Sequence, residues 1–143
     1  MKKFLVVGIT CALAGGFAFA ASAQSHSAKD EINTAHAHAM MAESANTVAM
    51  AHTHLHHVIN CLVGPGGKGF DAAAGTPCKG QGNGAIPDSA TDHALNGKLQ
   101  QALADAQAGL KSDNLAGVHQ DAGKVAGALQ AADPAAPKPG SSW

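Results

Sequence analysis

The clearest hydrophobic period lies near the C-terminus. Leu115, Val118, Ala122, Val125 and Leu129 step by three and four. At about 100° per residue these five share one face of a helix over residues 115–132. Upstream, Leu95, Leu99, Leu103, Ala106 and Leu110 form a second helical stripe, with Asp88 or Ser89 placed to cap a helix that runs to about Lys111. Ser112-Asp113-Asn114 is a short polar turn, with Asp113 or Asn114 as the next cap. So short a connection folds the two helices into an antiparallel hairpin. Residues 28–62 contain no glycine or proline. They read as one helix of roughly 50 Å, or as two split near Ser44–Thr47. Here Met41, Val48, Leu55, Ile59 and Leu62 make the apolar stripe expected to face the other helices. Residues 64–87 differ: eight glycines and three prolines predict a loop. Pro134, Pro137 and Pro139 end the last helix, so residues 134–143 are expected to be a disordered tail.

Composition narrows the fold class. Residues 1–23 read as an export leader: Lys2-Lys3, an apolar run from Phe4 to Ala20, and the small-x-small site Ala21-Ser22-Ala23. A membrane anchor is disfavoured, because that run falls short of the roughly 20 apolar residues a span needs. Cys11 lacks a lipobox and leaves with the leader, so the product is periplasmic or secreted. Residues 24–133 then form the folded domain, and the chain after the leader, residues 24–143, carries a formal charge of −3, no arginine and no tyrosine. That balance opposes binding to nucleic acid or to an anionic membrane. Leu, Ile, Val and Phe make up only 17 of the 120 residues after the leader, whereas alanine accounts for 26. The expected fold is all-α: an antiparallel three- or four-helix bundle with a thin, alanine-packed core and too little apolar area for two domains. Such a core calls for a staple or a partner, a homodimer included. Export leaves Cys61 and Cys78, whose pairing across the glycine-rich loop is worth about 3 kcal/mol.

Nine histidines follow the leader, and six of them fall between residues 36 and 57. On a helix, residues three or four apart bring their Cβ atoms within roughly 6 Å. His52/His56, His54/His57, Met50/His54 and His36/Met40 can each chelate an ion, whereas His36 and His54 cannot share one along a straight helix. His38 falls on the flank of His52 and His56. This predicts several small sites. Imidazole suits Cu(II), Ni(II) and Zn(II), and thioethers add a preference for Cu(I), so copper is the first expectation, with nickel or zinc behind it. The ligands expected are His36, His52, His54, His56 and His57. The second rank is His26, His38, Met40, Met50, His93 and His119. Met40, Met41 and Met50 also read as core fillers. His93 and His119 read as surface or structural side chains unless the hairpin carries them to the first helix. Cleavage after Ala23 exposes Gln24-Ser25-His26, whose amine, amides and imidazole can wrap a square-planar ion. Neutral imidazole is the ligand, so affinity is expected to fall as pH drops through about 6.5.

Other chemistry finds little support. No Cys-x-x-Cys-His, P-loop, Gly-x-Ser-x-Gly or His-Glu-x-x-His occurs, and no nucleophile–base–orienter set assembles, so an enzyme is not expected. A reduced Cys61 is a conceivable thiolate ligand, four residues after His57; the disulfide is the favoured state. Two further readings stand beside metal binding: a non-covalent haem protein with axial His and Met, and a structural or interaction module whose histidines sense pH. The leader, the histidine-bearing first helix and the alanine-rich hairpin Leu99–Leu129 together resemble the small histidine-rich periplasmic metal-binding proteins. That resemblance implies a helical bundle that takes up copper and other divalent ions for sequestration, buffering or delivery.

Overall fold

The structure, a computed structural model, describes residues 28–135. They form five helices and no strand: α1 Ala28–Glu43, α2 Val48–Val63, a short α3 Ala85–Asp88, α4 His93–Gly109 and α5 Leu115–Ala132, with a 3₁₀ turn at Ala72–Ala74. The leader, the Gln24-Ser25-His26 motif and residues 136–143 lie outside the described residues. Among the described residues no helix is long and apolar enough to cross a membrane.

The long glycine-free stretch is two helices, divided where the sequence turns polar. The Ser44 hydroxyl donates to the Met40 carbonyl (2.9 Å), which helps close α1. Thr47 opens α2 by accepting from the Met50 amide (3.1 Å), a side-chain N-cap. Asn114 caps α5 in the same way. The cap of α4 is Asp92 rather than Asp88 or Ser89. Those two residues are engaged elsewhere: Asp88 accepts from the backbone and side chain of Asn83, and the Ser89 hydroxyl donates to the Ile86 carbonyl. They close α3, a turn of helix inside the stretch expected to be all loop.

The core follows from this bend. α1 lies against α2 and α5, and α4 against α5 and α2. α1 contributes Ile32, Ala35, Ala39 and Ala42, α2 contributes Leu55, Val58, Ile59 and Leu62, and α5 contributes Val118, Ala122, Val125 and Leu129, all buried. Alanine along α1 lets its neighbours approach closely, so a chain short of large apolar residues still closes a core. Met41 is not part of it: 46% exposed, it sits just before the bend, and a stripe drawn through a continuous helix does not continue past residue 43.

The glycine-rich segment is tied down at several points. Cys61 and Cys78 form the expected disulfide. The buried carboxyl of Glu31, on α1, accepts from the Gly84 amide (2.8 Å). Burial, with Asp88 alongside, raises its pKa to about 7 against the pull of that hydrogen bond. The two ends of the segment cross at Gly64 and Gly84. Gly64 has φ +69°, and a Cβ there would run into the Asn83 backbone carbonyl. Gly64→Ala is therefore expected to cost at least about 2 kcal/mol by urea unfolding. Gly66→Ala, which meets only open space, should stay within about 0.5 kcal/mol of the parent. Equal effects from the two changes would remove the crossing as a constraint.

Candidate metal centre

The bend between α1 and α2 has a chemical consequence. Folding α2 back along α1 sets His38 opposite His54 and His57, which lie three apart on α2. The His38 and His54 Nδ1 atoms are 3.2 Å apart, and those of His38 and His57 are 3.4 Å apart. Three ring nitrogens, one from each residue, all lie within 4.8 Å of one another, close enough to bind a metal ion. For comparison, tetrahedral coordination at the usual Zn–N length of 2.0–2.1 Å separates two ligand nitrogens by about 3.3–3.4 Å. Ring centroids stand 4.6, 5.4 and 5.9 Å apart. That spacing admits a single ion between the rings and no macrocycle.

The proton inventory favours the same use. His57 Nε2 lies 2.6 Å from the Ala74 carbonyl, so Nε2 carries the proton and donates it. In the neutral ring Nδ1 then presents a lone pair to His38. A single Nδ1 proton on His38 can serve His54 or His57 but not both. A cation at the centre would resolve the conflict by accepting all three lone pairs. A backbone carbonyl behind a ligating imidazole is also the usual device for fixing its tautomer and direction.

That carbonyl is held by the glycine-rich segment. Asn60, buried on α2 one turn beyond His57, donates to the Asp71 and Gly75 carbonyls (2.7 and 2.6 Å) and accepts from the Asp71 amide (2.8 Å). Asp71 caps the 3₁₀ turn that ends in Ala74. Gly75 has φ +97°, a left-handed conformation that glycine adopts without strain, and it lies beside His57 Nε2, where a Cβ would be in ordinary contact at 3.5 Å. Together with Cys61–Cys78, these contacts make the segment the outer support of the site.

Two of the three rings, His38 and His54, are held toward the neutral form. Burial lowers the His38 pKa to about 4, and its neighbours His57 and His54 push in the same direction. His54 is lowered by burial and by His57. Neither ring needs to shed a proton at neutral pH before it can ligate a metal.

The remaining candidates have other surroundings. His52 Nε2 meets the Ser112 carbonyl (3.2 Å) and His119 Nε2 the Ala45 carbonyl (2.8 Å), so each latches a connection between helices. His56 faces Asp71 at 3.6 Å. His36 is wholly buried with both ring nitrogens unpartnered, and burial lowers its pKa. His93 is exposed at the start of α4. Met40 packs against the core, whereas Met50 is 49% exposed. His26 lies outside the described residues. Helical spacing pointed to the His54/His57 pair; it put His38 on the other flank, whereas the fold brings His38 to that pair from a second helix. Asn60 and Ala74 carried no signal in the sequence, because their roles depend on contacts 11 to 17 residues away. Set against known protein families, curated proteins and solved structures, the chain matches none of them.

Proposed function

We propose that this is an exported metal-binding protein in which His38, His54 and His57 hold a transition-metal ion through Nδ1, for buffering or delivery. The observation that carries this reading is the convergence of the three rings, with the His57 tautomer set by Ala74. Copper is the preferred ion: imidazole sites bind Cu(II) ahead of Ni(II) and Zn(II). Three protein donors on half-buried rings leave a coordination position for water or an exchanging ligand. Closed structural sites use four, so this arrangement suits an ion that is taken up and given away. The Cys61–Cys78 disulfide accords with an oxidising compartment, and the four long helices read as an antiparallel bundle around an alanine core.

The test is metal uptake by chelator-stripped protein as a function of pH. One Cu(II), or one Zn(II) as a redox-inert substitute, is expected per chain at pH 7. The sign of the pH dependence follows from the lowered pKa values. Protons compete with the metal only where they bind the rings. His38 takes its proton near pH 4 rather than at the ordinary 6.5, and His54 is shifted the same way. At His38 and His54 proton competition is therefore displaced to lower pH than at water-exposed histidines, and binding should disappear toward pH 4. The metal-free fold follows the same direction. An unfolded chain takes up protons at these two positions near pH 6.5, whereas folded His38 and His54 do so only at lower pH, so the stability they contribute is present above 6.5 and lost as pH falls toward 4. Absence of binding at pH 7, or undiminished Zn(II) binding at pH 4, would overturn the assignment.

A further inference from the structure

Two large apolar side chains are exposed among the described residues, and both are methionines: Met41 at 46% and Met50 at 49%. An apolar side chain of this size gains by leaving water, and the adjacent Met40 does pack against the core. The two thioethers occupy matched positions. Met41 follows His38 by three residues on α1, and Met50 precedes His54 by four on α2. Because α1 and α2 run antiparallel with His38 facing His54, both steps lead the same way, toward the bend at residues 44–47. Each methionine thus stands on the face of its neighbouring histidine, about one helical turn, or 5 Å, along. The hairpin carries a layer of two thioethers beside a layer of three imidazoles.

Thioether sulfur is a soft ligand. It selects monovalent copper and is a poor partner for Zn(II). We propose that Met41 and Met50 form a second, thioether site for a soft monovalent ion, Cu(I), from which the ion passes by ligand exchange to the imidazoles. As an entry site it rests on the reading of His38, His54 and His57 as an ion centre. No electron is transferred in the step: the ion reaches the imidazoles still as Cu(I), Cu(I)–S bonds being exchanged for Cu(I)–N bonds, and Cu(II) supplied directly binds the imidazoles without passing the thioethers.

Silver(I), redox-inert and similarly soft, is the probe, added to protein carrying ¹³C-labelled methionine methyl groups. The methyl signals of Met41 and Met50 are expected to move together on titration while that of Met40 stays. Met41→Leu with Met50→Leu should weaken silver binding by about tenfold or more and leave the Zn(II) equivalent at the histidines unchanged. Met41 and Met50 signals that stay still on silver titration of a protein that takes up Zn(II), or an unchanged silver isotherm in the double variant, overturn the thioether site alone. Failure of the parent protein to take up Zn(II) removes the histidine centre, and with it the entry role.

Discussion

Replacing His38 with alanine is expected to abolish the rise in melting temperature that metal should give the parent protein. A ligand that binds only the folded state stabilises it by RT ln(1 + [L]/Kd), about 2.7 kcal/mol at a hundredfold excess over Kd. For a domain of this size that is a shift of roughly 8–15 °C. His38 is the sharpest position to test because it is the member of the trio supplied by α1. Without it, His54 and His57 remain as a pair three residues apart on one helix, a chelate any solvent-exposed histidine helix could offer. The same substitution relieves the competition for one Nδ1 proton, so the metal-free protein should lose little stability of its own. His119→Ala is the matched comparison. It removes the 2.8 Å contact to the Ala45 carbonyl and should lower the melting temperature with and without metal alike, leaving the metal-dependent difference intact. Differential scanning fluorimetry with Zn(II) reads both. A metal-dependent rise that survives in His38→Ala would place the ion elsewhere on the chain.

What the sequence disclosed was whatever depends on near neighbours. The seam Val118, Ala122, Val125 and Leu129 is buried as its spacing required, Asn114 caps α5, and Cys61 and Cys78 pair with each other. What depends on register between helices was not legible. His54/His57 could be paired by counting along α2, but His38 joins them only because the chain reverses at residues 44–47, and no local spacing says by how many residues α1 and α2 are offset. The same reversal explains Met41: counted onward to Val48 it lies on the apolar side, whereas the helix it belongs to ends at Glu43. Asp92, Asp88 and Ser89 were all chemically able to cap α4, and the choice fell to long-range demands, since Asp88 holds Asn83. Glu31 illustrates the limit from the other side. As an acidic residue in the first turn of a helix it looks like an ordinary surface charge, yet it is 1% exposed and fastens Gly84.

Removing the disulfide should test whether that outer support matters to the ion. Cys61→Ala with Cys78→Ala opens a connection 17 residues apart, and the loop-closure estimate for this length is about 3 kcal/mol of lost stability, measurable by urea unfolding in metal-free buffer. The second consequence is chemical. Cys61 lies four residues after His57, and the segment closed by Cys78 carries Ala74, whose carbonyl holds His57 Nε2. With the tether cut, Asn60 still grips Asp71 and Gly75, so the carbonyl is loosened rather than lost. Loss of a partner behind a ligating imidazole typically costs ten- to a hundredfold in metal affinity; because Asn60 remains, the lower end, about tenfold, is expected for Zn(II) by competition with a chromogenic chelator. Stability and affinity should fall together, and the affinity loss should persist under conditions where the variant is fully folded by circular dichroism. A variant that loses the stability yet binds Zn(II) as tightly as the parent would show that the segment staples the helices without orienting His57.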